Sequence, residues 1–179
     1  CNINGVKGPA RCGTYRVWEN RTTKQGRQID LSVIVLEALN KTKKPDALFM
    51  LAGGPGDAPS FNAKFFSVTF DKARLTRDLV LADLRGTGKS GPQLCPELAK
   101  PDKDGVLDDE ILGVQAVISC RARLEKSADL RQYTTEIAVD DLDEVRQALG
   151  YRHINLYGTS YGSRVAQVYM RLHPTSLRT

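Results

Sequence analysis

Ser160 sits between Gly158 and Gly162 in the run Ile154-Asn155-Leu156-Tyr157-Gly158-Thr159-Ser160-Tyr161-Gly162. An apolar strand pattern ends there in Gly-x-Ser-x-Gly and passes directly into a helical one. The arrangement reads as a nucleophile elbow. Two residues without a Cβ let the chain turn sharply from strand to helix and hold the serine in a strained backbone, its hydroxyl exposed above the sheet edge. The helix that follows aims its positive end at Ser160, and the N–H of Tyr161 is free to bind an oxyanion as a carbonyl is attacked. The chemistry this implies is nucleophilic attack on a carbonyl through an acyl-enzyme.

Such an elbow needs a second N–H donor from the loop after the third strand. Gly53-Gly54-Pro55-Gly56 follows the apolar run Ala47-Leu48-Phe49-Met50-Leu51, and a backbone free of Cβ atoms can approach a substrate oxygen closely. Gly54 is the expected donor, with Gly53 and Pro55 shaping the loop. A plain turn is the alternative reading of these four residues. The segment Asp83-Leu84-Arg85-Gly86-Thr87-Gly88-Lys89-Ser90 raises nucleotide binding, because Gly-Lys-Ser after an apolar strand resembles the end of a P-loop. The pattern fails where a P-loop needs its first glycine, since Asp83 stands there, and the chain continues into Gly91-Pro92 where a helix must begin. Asp83 and Arg85 are read instead as a carboxylate and a guanidinium that pin loops near the site, Arg85 being able to bond in bidentate fashion.

The elements that must position these residues follow from periodicity. Residues 12–19 and 29–38 read as an antiparallel pair of strands. Ala47 to Leu51 and Leu79 to Ala82 are apolar on both faces, as central parallel strands are. Between Leu107 and Lys126, Ile111, Val114, Ile118 and Ala122 recur at helical spacing and suggest an inserted or flanking helix. A clearer helix follows a threonine cap at Thr134 or Thr135. Its Ala138, Leu142, Val145 and Leu149 share one face, Asp140, Asp141, Asp143 and Glu144 are expected away from it, and Gly150 suits its end. The Ile154 strand and a helix from Tyr161 to about Leu172 complete an α/β alternation, in which ligands sit beyond the carboxyl ends of the strands.

The chain has 179 residues, a formal net charge of +5 and charged residues of both signs interleaved along it. With no basic face or aromatic platform, nucleic acid is not an expected partner, and no apolar run approaches the roughly 20 residues that span a bilayer. No cysteine has metal-ligand spacing, and neither a metal nor an organic cofactor is expected. The positions of the four cysteines suggest local pairs, Cys1 with Cys12 and Cys95 with Cys120, although other connectivities and four reduced thiols remain open. Disulfides would place the protein in the periplasm or outside the cell. A chain that begins at Cys1 is compatible with a removed signal peptide, and a lipidated first residue is a further reading of Cys1.

Taken in order, Leu51-Ala52-Gly53-Gly54-Pro55-Gly56, Asp83 to Ser90, Tyr133-Thr134-Thr135 through Asp141-Leu142 to Leu149-Gly150, and Tyr157 to Gly162 resemble the α/β-hydrolase family of prolyl and tripeptidyl aminopeptidases. The secreted bacterial branch is the nearest in character. The resemblance implies an α/β-hydrolase fold with an antiparallel start, then parallel strands and flanking helices, Ser160 as nucleophile, and an oxyanion hole from Gly54 and Tyr161. It also implies secretion with disulfides and a peptide or ester substrate. Ala52 stands where many relatives carry histidine, and Asp57 where a further glycine is common.

The family order of serine, then acid, then histidine leaves only about 19 residues after Ser160. Neither His153 nor His173 comes from a late loop, so both are read as surface or helix-end residues. The expectation is therefore that residues 1–179 are the N-terminal part of one domain whose acid, base, lid and later strands lie in a missing C-terminal half, and that this part alone is inactive. The same serine serves a carboxylesterase, and a non-catalytic remnant that binds without a triad is the reading of another class.

Overall fold

The computed structural model describes residues 1–91, 94–96 and 114–179. Strands β1 (Ala10–Trp18) and β2 (Gln28–Leu36) form an antiparallel hairpin, with Ala10 opposite Leu36 and Trp18 opposite Gln28. Both strands end slightly earlier than the sequence suggests. Glu19 closes the hairpin by donating its N–H to the Arg27 carbonyl, and the N–H of Ala38 is taken by the Asp78 carboxylate at 2.9 Å, outside the ladder. Strand β3 (Ala47–Leu51) pairs in parallel with both β4 (Leu79–Ala82) and β5 (Ile154–Gly158). Strand β4 also runs antiparallel to β2, so the sheet order is β1-β2-β4-β3-β5.

Helices α1 (Ala63–Thr69) and α2 (Asp71–Arg74) connect β3 to β4, while α3 (Val114–Leu124) and α4 (Thr135–Ala148) lie between β4 and β5. Helix α5 (Tyr161–Leu172) follows β5. Because the central strands are apolar at every position, each face of the sheet buries its own core. Val80 and Ala82 join Val139, Leu142 and Val145 of α4 and Val165 and Tyr169 of α5 on one face. Leu79 and Leu81 join Leu36, Met50, Ala63 and Phe66 on the other. Each Val, Leu, Met or Phe among them taken out of water contributes about 1.5–3 kcal/mol before entropic costs.

Helix α4 begins at the N-cap Thr134, whose side chain accepts the Ile137 N–H at 3.4 Å. Its acidic residues do not all lie away from the core. Asp141 and Asp143 are buried because each is enclosed by donors: Arg85 and Arg21 hold Asp141, while Arg146, Gln147 and Tyr169 hold Asp143. Heptad-like spacing ranks residues by hydropathy and so misplaces a carboxylate that is buried with its partners.

The expected helix of residues 107–126 is described from Val114 onward, the preceding part lying outside the described residues. Val114 and Ile118 are exposed there, and the helix is fastened instead through buried Cys120, which is bonded to Cys95. A second disulfide joins Cys1 to Cys12 on β1. Disulfides form and persist in oxidising surroundings such as the periplasm or the cell exterior. Among the described residues no helix is long and apolar enough to cross a membrane. At the other margin of the sheet, Leu177 forms a parallel bridge to Ile154. Arg178 donates its N–H to the Ile154 carbonyl at 2.8 Å, and Leu156 donates to that of Thr179 at 2.8 Å.

Burial raises the pKa of Asp143, but hydrogen bonds from Arg146, Tyr169 and Gln147 outweigh it and hold the carboxyl well below the usual carboxylate range. A depressed native pKa gives stability that is complete above the unfolded value near 4 and is lost as pH falls toward the native one. Asp143→Asn is therefore expected to cost about 2 kcal/mol at pH 7, with the deficit shrinking between about pH 4 and pH 2. Urea midpoints of both proteins across that range check this, and parallel curves would contradict it.

Candidate active site

The parallel strands β3, β4 and β5 all end at one edge of the sheet, and the three glycine-rich segments of the sequence emerge there. Ser160 is the N-cap of α5 and has φ 51° and ψ −122°. A non-glycine residue in that region is strained, and it persists only where its surroundings over-determine it. Here the constraint is backbone against backbone. A Cβ on Gly162 would sit 2.3 Å from the Leu51 carbonyl oxygen, and one on Gly158 would sit 2.4 Å from that of Gly162. Thr159 also donates its N–H to the Leu51 carbonyl at 3.2 Å, tying the turn to the end of β3.

The loop after β3 passes directly over the serine. A Cβ on Gly53 would lie 3.1 Å from Ser160 Cβ and 3.6 Å from its Oγ. Gly54 follows with φ 103° and then a cis peptide to Pro55. The Ser160 side chain is exposed, and Tyr161, as the first residue of α5, has an N–H with no acceptor inside the helix. The Tyr161 hydroxyl and Thr135 Oγ1 are 2.6 Å apart, which joins the start of α5 to the start of α4. A cleft of about 220 Å³ runs between the Gly53 to Asp57 loop and Tyr161, with Leu84, Thr87 and Tyr133 on its walls. Larger cavities of about 350 and 640 Å³ lie against β1 and α3 and touch neither Ser160 nor this loop.

Two buried residues hold the loops of this edge. Asp83 accepts the N–H and hydroxyl of Ser60 at 3.0 and 2.7 Å and the N–H of Lys89 at 3.1 Å. Arg85 meets Asp141 through two hydrogen bonds of 2.6 and 2.8 Å and donates to the carbonyls of Trp18, Glu19 and Gln132. All of its donors are used, so one guanidinium fastens the β1–β2 hairpin, the segment before α4, and α4 itself to the loop after β4. Ser90, the end of the P-loop-like segment, is buried between the Ser32 N–H and the Asp83 carbonyl, so its hydroxyl is used inside the fold.

A model of the α/β-hydrolase fold matches residues 46–179, and these include β3, β4, β5 and the whole serine turn. The chain belongs to the α/β-hydrolase fold family. Within it, the tripeptidyl aminopeptidase of Streptomyces coelicolor is 30% identical over 187 residues, an alignment that covers 95% of this chain and 34% of that protein. The serine protease Hip1 of Mycobacterium tuberculosis is 29% identical over 186 residues, covering 97% and 35%. The chain thus spans about a third of the length of these curated relatives. The crystal structure of proline iminopeptidase from Mycobacterium smegmatis superposes with a TM-score of 0.57 at 18% identity, over 92% of this chain and 41% of that one.

Neither histidine of this α/β-hydrolase chain reaches Ser160. His173 follows the far end of α5, roughly 18 Å along the helix axis, and its Nε2 lies 2.9 Å from Asp140 Oδ1. His153 precedes β5, so it lies at the opposite edge of the sheet from the serine turn. Sequence reasoning missed Thr135 as the partner of Tyr161, Asp141 as the counter-ion of Arg85, and Ser60 as the partner of Asp83. Only Asp141 carried a signal, an acid beside Leu142 on a helix already placed against the sheet.

Arg85→Ala strands three carbonyls and half-strips a buried carboxylate, and is expected to cost about 3–5 kcal/mol in urea unfolding. A loss under about 1 kcal/mol would show the network to be dispensable. Gly162→Ala must push the turn away from β3. It is expected to lower the melting temperature by several degrees and to move Ser160 out of its strained backbone, read by a crystal structure of the variant.

Proposed function

We propose that this chain is the nucleophile-bearing, N-terminal part of a secreted serine hydrolase, an aminopeptidase that works through an acyl-enzyme. The observation that carries this reading is the strained, exposed Ser160 at the strand-to-helix turn, with the Gly53-Gly54 backbone directly over it. In the proposed mechanism the Ser160 hydroxyl attacks the scissile carbonyl as a base takes its proton. The N–H groups of Gly54 and Tyr161 stabilise the tetrahedral oxyanion, the amine leaves with a proton, and water hydrolyses the acyl-enzyme. Removing one such donor costs on the order of 100-fold or more in kcat.

The base and acid are assigned to a segment beyond these residues, because neither histidine approaches the serine. Support for a larger domain comes from the relatives, of which this chain matches about a third. The backbone pairing of residues 177–179 beside β5 and the exposed Phe61, Phe65, Met170 and Leu172 fit the same reading. Peptidase rather than esterase chemistry is favoured by the names of the relatives, tripeptidyl aminopeptidase and serine protease. Secretion is favoured by the two disulfides.

The test uses the full-length protein. Ser160→Ala is expected to abolish covalent labelling by a fluorophosphonate and to lower turnover of aminoacyl and peptidyl naphthylamides by at least about 1,000-fold. Persistent labelling of the variant would mean that another residue is the nucleophile. Turnover of p-nitrophenyl esters without any turnover of the naphthylamides would replace the peptidase by an esterase.

A further inference from the structure

Helix α5 makes no use of the Tyr161 N–H, whereas the next two donors are taken. Gly162 donates to the Thr159 carbonyl at 2.8 Å, and Ser163 donates to that of Ser160 at 3.0 Å. The end of β3 braces the turn at Thr159 and Gly162, on either side of Tyr161. Tyr161 itself is tied through its side chain. Its hydroxyl and Thr135 Oγ1 are 2.6 Å apart in a partly buried hydrogen bond, and the intervening ring packs against the core shared by α4 and α5.

Thr135 is a fixed post for that bond. It is the first residue of α4, and the residues before it are fastened one after another. Arg85 donates to the Gln132 carbonyl at 2.9 Å, the Tyr133 hydroxyl donates to Glu19 at 3.0 Å, and Thr134 caps the helix. Ala138 and Val139, a turn further on, are buried. Packing alone is non-directional and would let the ring of Tyr161 slide. A hydrogen bond at its far end fixes the ring in direction as well as in place, and so limits the tilt of the peptide group attached to its Cα.

A donor that stabilises developing charge is effective when it is already aimed, because no energy is then spent on turning it during the reaction. A misplacement of about 1 Å can cost on the order of 100-fold in rate. We infer that Thr135 is a positioning residue for the oxyanion donor: by holding the Tyr161 hydroxyl it keeps the Tyr161 N–H directed at the place where the oxyanion develops. This rests on the serine-hydrolase reading above. It adds to that mechanism a residue of another element, 26 positions before Tyr161 in the chain, that touches neither substrate nor nucleophile.

The test uses the full-length protein with Thr135→Val and Tyr161→Phe, each of which keeps the shape of a side chain and removes one hydroxyl, and with Thr135→Ser, which keeps the hydroxyl. Melting curves report that each variant is folded, and Tyr161→Phe decides if Thr135→Val is not. Two inhibitors separate positioning from mere stability: an aldehyde carrying the acyl group of a substrate, and the matching alcohol. With the aldehyde, a bond forms from Ser160 Oγ to the carbonyl carbon, the carbonyl π pair moves onto oxygen, and the serine proton passes to the base. The alcohol forms no such adduct. In the Val and Phe variants kcat and aldehyde affinity are expected to fall about tenfold, with KM and alcohol affinity within about twofold, and the Ser variant is expected to retain most of both. The double variant is expected to lose no more than either single one. An unchanged kcat in either single variant overturns the assignment. Equal weakening of aldehyde and alcohol, or losses that multiply in the double variant, overturns it as well. A wild-type protein that fluorophosphonate does not label at Ser160 would instead retire the serine-hydrolase reading, and this assignment with it.

Discussion

The carbonyls at the end of β3 lie so close to the serine turn that no side chain fits between them, and the rest of the site depends on that contact. Leu51 accepts the Thr159 N–H, and its oxygen stands where a Gly162 Cβ would be. The contact fixes the direction in which α5 leaves the sheet, holds Ser160 at a positive φ, and brings the following glycine loop over the hydroxyl. Because both partners are backbone, the geometry is set by covalent dimensions and tolerates almost no substitution.

A contact of that kind positions a residue only if the strands and helices on either side cannot drift. Hydrophobic burial on both faces of the sheet supplies most of the cohesion, but it is non-directional and does not by itself choose one loop arrangement. Direction comes from a few buried polar groups whose partners are distant in sequence. Arg85 joins four segments, Asp83 joins two, and Asp143 joins the middle of α4 to Tyr169 near the end of α5. Each is costly to bury and worse to leave half-paired, so each defines a single arrangement of its neighbours.

What these residues hold is a strained, exposed serine, with the Gly53-Gly54 backbone beside it. A general base must be carried by an element that returns to the same sheet edge. The two histidines lie away from that edge, one after the end of α5 and one before β5. The division is physical: a strand-to-helix turn can strain and expose a hydroxyl on its own, whereas a base has to arrive from elsewhere in the fold.

The serine turn, the glycine loop and the parallel strands were legible in the sequence because each rests on local rules. Glycine spacing encodes a turn, a run apolar at every position encodes a strand covered on both faces, and Thr134 with Gly150 brackets a helix. The loss of a P-loop glycine at Asp83 was equally plain. The partners were not legible. Hydropathy placed Asp141 and Asp143 on the solvent side of α4, and nothing local says that Arg85, 56 residues earlier, comes to meet Asp141. The same holds for Thr135 with Tyr161 and Ser60 with Asp83, and for the exposure of Val114 and Ile118 on α3. Periodicity and turn chemistry act within a few residues and can be read from the chain. Charge pairing and shared burial act across space, between segments whose proximity exists only once the sheet has formed.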